Sequence, residues 1–197
     1  LGDAGNDSML GGTGDDSLRG GEGNDTIKGE DDADFIKGDA GNDSLDGGAG
    51  SDRIYSGIGD DKLFGGSGND LLQGDAGNDT LSASQGNDRL YGGADNDILT
   101  SGTGNDALYG EDGVDTLLGG EGNDTLLGGL GADSMVSGDG LDIFRFTNVA
   151  ESNALTAPID TITDFEFGLD RLDLSGLGFT GLDTDGGLTE AGELRVF

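Results

Sequence analysis

Cysteine and histidine are both absent from the 197-residue sequence. Their absence excludes disulfides, a zinc held by thiolates, and any nucleophile–base pair built on Cys or His. Tryptophan is missing too, and proline occurs once. Basic residues are scarce: 9 Lys+Arg stand against 41 Asp+Glu, a formal net charge of -32. Nucleic acid is excluded as a partner, because phosphates need a basic footprint. No apolar run approaches the roughly 18 residues of a membrane span, and no signal-peptide pattern opens the chain. The glycines lack the Lys-Ser/Thr of a phosphate loop. With only 32% hydrophobic residues, the chain cannot offset its ordering entropy by apolar burial unless something neutralises its carboxylates.

What the chain has instead is glycine, 43 residues of it, in a fixed period. The stretches "GGEGNDTLL", "GGLGADSMV" and "SGDGLDIFR" at 119–145 write one nine-residue pattern three times. Counted from Gly2, nonapeptides run without a slip to Arg145, and 144 residues divided by 9 gives 16 units. Slot six is Asp in every unit: Asp7, Asp16, Asp25, Asp34, Asp43, Asp52, Asp61, Asp70, Asp79, Asp88, Asp97, Asp106, Asp115, Asp124, Asp133 and Asp142. Slot eight is Leu, Ile, Met or Phe in every unit, from Met9, Leu18 and Ile27 to Met135 and Phe144. Slot four is Gly in fourteen units, with Asp32 and Asp95 as exceptions. Slot one is Gly in twelve, with Ser56, Ala83, Ser101 and Ser137 in its place. Leu1 fits slot nine of a truncated earlier unit, so the sequence is expected to begin inside a longer array.

Slots one to six, G-G-x-G-N-D, read as a turn, because Gly weakens helix and strand and supplies positive φ. Asn in slot five is expected to share the left-handed geometry. Slots seven to nine read as a three-residue strand with one apolar side chain pointing inward. Such a strand is stable only beside its copies, so the units predict an all-β parallel solenoid. Two units per turn let opposing strands bury each other's apolar residues. Odd units then form one sheet and even units the other, in about eight turns and a rod roughly 38 Å long at about 4.8 Å per strand. A flexible Gly-rich linker would not keep an apolar residue in phase sixteen times.

Slot-six Asp residues recur every eighteen residues on each side of this coil, so Asp25 falls between Asp7 and Asp43. Carboxylates about 4.8 Å apart repel unless a cation sits between them. Carboxylate and turn-carbonyl oxygens, with no His or Cys, select calcium over transition metals, and Mg²⁺ dehydrates too reluctantly to compete. Paired carboxylates also serve glycosidases, but sixteen equivalent ones single out no catalytic pair.

The units resemble the G-G-x-G-x-D-x-U-x nonapeptide of the RTX, or haemolysin-type, calcium-binding proteins, over residues 2–145. The resemblance implies a right-handed parallel β-roll with calcium between successive turns. Each ion would take the carbonyls of slots two and four and the Asp of one unit, with the carbonyls of slots one and three and the Asp of the unit two further on. One ion would thus use Gly12, Gly14 and Asp16 with Gly29, Asp31 and Asp34. By the same resemblance the slot-one carbonyls are those of Gly20, Gly29, Gly38, Gly47, Gly65, Gly74, Gly92, Gly110, Gly119 and Gly128. Slot two contributes Gly12, Gly21, Gly48, Gly57, Gly66, Gly93, Gly102 and Gly120. Slot four contributes Gly5, Gly14, Gly23, Gly41, Gly50, Gly59, Gly68, Gly77, Gly86, Gly104, Gly113, Gly122 and Gly131. Pairing unit i with i+2 gives 16 minus 2, or 14, complete sites, whose +28 nearly balances the -32 of the chain. At Asp32 and Asp95 the extra carboxylate either raises calcium affinity or strains the turn.

After Arg145 the pattern stops, and residues 146–197 read as a capping segment. "IFRFTNVA" continues as strand and "ESNALTAP" as an exposed loop. The run "IDTITDFEFGLDRLDLSGLGFTGL" resembles the closing segment of RTX proteins, most nearly that of the R-modules of mannuronan C5-epimerases. Phe165, Phe167, Leu169, Leu172 and Leu174 are expected to cover the last apolar rung. "DTDGGLTEAGEL" is similar to an EF-hand loop through Asp183, Asp185, Gly186 and Leu188, but Glu193 falls one place late.

One outward column differs from the other. Slot nine of the even units reads Arg19, Lys37, Tyr55, Gln73, Tyr91, Tyr109, Leu127 and Arg145, and slot seven adds Arg53 and Arg89. This basic and aromatic strip suits an extended acidic polysaccharide such as alginate, although Tyr and Arg also suit exposed strand positions in their own right. The expected protein is a non-catalytic, extracellular calcium-binding module of a larger secreted bacterial protein, binding calcium weakly, at roughly 10⁻⁴ to 10⁻³ M. The RTX resemblance implies export by type I secretion and folding outside the cell. A structural spacer or cap of an adhesin or surface-layer protein is the alternative.

Overall fold

A computed structural model describes residues 1–147 and 159–177. Among them the chain is all β apart from one 3-10 turn at Ser175–Leu177. Strands recur once per nonapeptide, at Ser8–Thr13, Ser17–Glu22, Thr26–Asp31 and so on to Ser134–Asp139 and Ile143–Arg145. They alternate between two nine-stranded sheets. Every pairing is parallel, with residue n opposite residue n+18 through the repeats, as in Met9 opposite Ile27 and Leu90 opposite Leu108. This is the flattened coil of about eight turns that the period requires.

The slot-eight side chains form the core. From Ile27 to Phe144 every one of them is fully buried, as two opposed apolar ladders. Slot one is a second inward position, and it is small because a Cβ on Gly29 would stand 2.0 Å from Asp34 Oδ2 and 2.6 Å from Gly47 O.

Two local expectations need correction. The strands are six residues long, because slots one to three belong to the strand and only slots four to six turn. Glycine's weak strand preference is overridden here because each unit lies against copies with the same bend. The ladder therefore resumes beyond it, with Gly12 opposite Glu30 and Thr13 opposite Asp31. Positive φ falls in slots two and four, never in slot five. Five non-glycine residues adopt it in slot two (Glu30, Asp39, Asp75, Ser84 and Glu111), as do Asp32 and Asp95 in slot four. The slot-five side chains instead form a second ladder: Asn69 Oδ1 accepts the N–H of Asn87 at 2.7 Å, and Asn87 Oδ1 that of Asn105 at 2.9 Å.

The tail completes both sheets. Thr161–Ile162 pairs with Ser134–Asp139, and Arg171–Asp173 with Ile143–Arg145. Phe165, Leu172 and Leu174 pack against the core as expected, joined by Ile162 and Leu177. Phe167 and Leu169 do not: they are 84% and 50% exposed. The tight turn in which Leu169 and Asp170 donate to Glu166 O, with Gly168 at φ 92, carries both outward. Asp164 accepts the N–H groups of Ser137 and Gly138 at 3.1 and 2.7 Å, where the next turn of the roll would otherwise pair. The loop at 151–158 and the EF-hand-like stretch with Asp183, Asp185, Gly186, Leu188 and Glu193 lie outside the described residues.

Candidate metal sites

The slot-six aspartates stand in two buried columns. Asp25 and every later one to Asp142 are at most 3% exposed. From Asp25 to Asp142 each carboxylate is oriented by one backbone donor, the N–H of the Asp eighteen residues earlier, which reaches its Oδ1, as from Asp25 to Asp43 at 2.7 Å and from Asp97 to Asp115 at 2.8 Å. Oδ2 is buried without a hydrogen bond in Asp16, Asp25, Asp34, Asp43, Asp52, Asp61, Asp70, Asp79, Asp88, Asp97, Asp106, Asp115, Asp124 and Asp142. A column of buried anions with unmet oxygens is untenable in water-free surroundings unless a cation compensates it or the carboxyls take up protons.

Backbone carbonyls line the same gaps. A Cβ on Gly48 would stand 2.2 Å from Glu30 O, and one on Gly50 2.0 Å from Asp32 O, so slot-two and slot-four carbonyls point up toward the next turn. From above, the slot-one carbonyl of Gly47 points down at Gly29, and the slot-three carbonyl of Ser67 accepts the N–H of Gly50 at 2.8 Å. Each gap is thus bounded below by carbonyls of slots two and four and above by those of slots one and three, with an Asp from either side. That is the donor set the RTX resemblance implies, and the residues present fit a calcium ion. Among the described residues no three carboxylates converge. Carbonyls are therefore the majority donors, as a hard, hydration-tolerant cation with variable coordination prefers. Bound there, calcium would supply positive charge to the buried columns and tie successive turns together.

The gap holding Gly12, Gly14 and Asp16 below Gly29, Asp31 and Asp34 follows this plan, with the Asp16 N–H on Asp34 Oδ1 at 2.8 Å. Its extra acids brace the turn: Asp32 accepts the Gly14 N–H at 3.1 Å, and Asp15 accepts the Ala33 N–H at 3.2 Å.

Burial raises the column carboxylates from Asp34 to Asp124 above the ordinary carboxylate range. Asp43, Asp88 and Asp97 are pushed up to about 6, Asp70, Asp115 and Asp124 to about 7, and Asp79 to about 8. The backbone N–H that each accepts opposes this without cancelling it.

The columns run past the last repeat, which the sequence period did not disclose. Asp160 Oδ1 accepts the Asp133 N–H at 3.0 Å, and Asp170 Oδ1 accepts the Asp142 N–H at 3.3 Å. Asp170 ends its column, because its Oδ2 is taken by the Glu166 N–H at 2.7 Å.

The even face brings the strip together as one register, from Arg19 through Lys37, Tyr55, Gln73 and Tyr91 to Tyr109. Tyr91 and Tyr109 stack, with centroids 4.7 Å apart and planes at 6°. Arg19 and Lys37 are both engaged by Asp39. Arg53 and Arg89 flank Leu71 in one shallow cleft with Ser51, Asn69 and Asn87, over Asp52 and Asp70. Phe35, in slot seven, packs on Tyr55 at 5.6 Å and extends the strip's aromatic surface.

Comparison with known proteins agrees with this geometry. The family described as RTX calcium-binding nonapeptide repeat (4 copies) matches residues 1–36, 28–63, 37–72, 73–108 and 109–144. Two relatives from Azotobacter vinelandii match over 42 residues, 20% of this chain: alginate lyase 7 at 60% identity and mannuronan C5-epimerase AlgE5 at 52%. The matched stretch spans 5% and 4% of their own lengths. With the family matches running from residue 1 to residue 144 over a two-sheet coil of aspartate-lined gaps, the chain belongs to the RTX calcium-binding nonapeptide repeat family.

Proposed function

We propose that this chain is a non-catalytic extracellular module that folds when calcium fills the gaps between its turns, and that it serves a larger secreted bacterial protein. The observation that carries the reading is the row of buried, partnerless Asp Oδ2 atoms. Without cations the two columns repel themselves apart. With them, ion binding is the folding free energy. Such a module stays unfolded where calcium is scarce and folds where it is plentiful, which suits a segment exported unfolded by type I secretion. Far-UV circular dichroism against calcium, with magnesium as control, tests this. At about pH 8, where the column carboxyls have lost most of their protons, a cooperative gain of β signal near millimolar calcium is expected, and a full β signal in chelator at that pH would overturn it.

The partner on the even face is an acidic polysaccharide, and alginate is the candidate favoured by the names of the two relatives. Its support is the cleft where Arg53 and Arg89 have no carboxylate partner among the described residues, next to the stacked Tyr91 and Tyr109. Arg53→Glu with Arg89→Glu should abolish alginate binding in calcium. Unchanged binding, or none in the parent chain, would favour a structural spacer of an adhesin or surface layer.

A further inference from the structure

We infer that the calcium gaps fall into two classes, and that Ser56, Ala83 and Ser101 mark the weaker one. The inference rests on the calcium reading above and concerns which turns depend on the ion most.

In the common gap, slot one is Gly, and two acceptor-only oxygens meet over its α-hydrogen. A Cβ on Gly74 would stand 2.4 Å from Asp79 Oδ2 and 2.5 Å from Gly92 O. One on Gly110 would stand 2.4 Å from both Asp115 Oδ2 and Gly128 O. No donor lies between the two oxygens, so a cation is what such a gap requires.

Three of the fourteen gaps are built differently. Ser56 and Ser101, both fully buried, put a hydroxyl in that place: Ser56 Oγ donates to Gly74 O at 2.7 Å, and Ser101 Oγ to Gly119 O at 2.6 Å. The carbonyl that elsewhere faces a bare carboxylate here already holds a proton donor and is a poorer metal ligand for it. Ala83, also fully buried, fills the same place with a methyl group and offers no donor at all. A close-packed interior leaves no slack to move either side chain aside.

The placement of the three matters. Ser56 opens a gap on one edge of the coil, between units seven and nine, while Ala83 and Ser101 open two successive gaps on the other, between units ten and fourteen. Weak gaps thus fall between units seven and fourteen of the sixteen, inside gaps opened by Gly at either end of the rod. Calcium loads the ends first and the middle last.

Equilibrium dialysis of the whole chain with radioactive calcium, beside the triple variant Ser56→Gly, Ala83→Gly, Ser101→Gly, tests this. The parent chain should fill in two phases, with about three ions held roughly tenfold more weakly, the worth of one engaged ligand. In the triple variant, which carries the residue found in twelve other units, those ions should join the tight phase. Gly110→Ser should move one ion the other way. A single phase in the parent chain, or identical curves for parent and triple variant, overturns the inference while leaving calcium binding intact. Failure of both chains to bind calcium overturns the proposed function and this inference together.

Discussion

The N–H of Asp61 donates to Oδ1 of Asp79 at 2.8 Å, one full turn away, while Oδ2 of the same Asp79 is buried with no hydrogen-bond partner. One carboxylate thus has a structural oxygen, which sets the spacing of the turns, and an oxygen left for a metal. The two roles separate under mutation.

Asp79→Asn keeps an oxygen for the Asp61 N–H and removes the charge. Its amide nitrogen would stand opposite Gly92 O, where it can donate. Without calcium the substitution should therefore stabilise the β form, since it deletes one buried, repelling anion. With calcium it should raise the midpoint of folding by roughly tenfold, about 1.4 kcal/mol. Circular dichroism at zero and at graded calcium checks both signs. A destabilised calcium-free form would mean that Oδ2 is not an unmet charge.

Acidity should act on the calcium-free chain in the opposite sense to most proteins. Column carboxylates such as Asp43, Asp70 and Asp79 are raised from 3.8 to about 6, 7 and 8 by burial. Between 3.8 and those values the folded form holds protons that the unfolded chain has released, so stability falls as pH rises. Calcium-free β structure should be greatest near pH 4 and be lost between about pH 6 and 8. In saturating calcium the trend reverses over pH 5 to about 7, because protons compete with the ion for the same oxygens. Thermal melts across pH, with calcium and with chelator, should give curves that cross.

Glycine is required by space at most but not all slot-four positions, and by conformation in fewer places than its abundance suggests. Gly68, at φ 135, would put a Cβ 1.6 Å from Gly50 O, so Gly68→Ala should lose at least about 3 kcal/mol. Asp95 holds the same slot at φ 80 with a side chain in place. Asp95→Gly relieves about 1–2 kcal/mol of left-handed strain against about 0.5–1 of added unfolded-state freedom. The net should be a gain of up to about 1.5 kcal/mol, read as a small rise in Tm at fixed calcium.

The period carried most of this architecture, because slots six and eight admit one chemistry each: a carboxylate into the column and an apolar group into the core. What it concealed are features that depend on the copy eighteen residues away. The six-residue strand is one, since Gly12 pairs with Glu30 through a bend that glycine preference alone assigns to a turn. The Asn ladder is another, since Asn87 acts on Asn105 rather than on its own backbone angle. The cap hid best. Asp160 follows Asp133 by 27 residues, which keeps the nine-residue phase but assigns it to the opposite column, and Asp170 follows Asp142 by 28, out of phase altogether.

The cap supplies the last test, because it must end two open sheets and one apolar ladder at once. Phe165 stands 6.0 Å from Phe144, the final core rung, while Phe167 beside it is 84% exposed. Sequence alone gives the two rings equal weight, and the structure does not. Phe165→Ala should cost about 2–4 kcal/mol at saturating calcium, and Phe167→Ala, which loses only an edge-on contact with the Phe165 ring at 5.3 Å, about 0.5–1. Asp164→Ala should open the end differently, by leaving the N–H groups of Ser137 and Gly138 without an acceptor, at about 1–3 kcal/mol. Hydrogen exchange separates the mechanisms. Phe165→Ala should speed exchange in both terminal strands, Ser134–Asp139 and Ile143–Arg145, because they share the apolar rung. Asp164→Ala should speed it in Ser134–Asp139 first. Equal effects from Phe165 and Phe167 would mean that the ladder is closed by bulk alone, and that the pairing of Arg171–Asp173 onto Ile143–Arg145 suffices to end the roll.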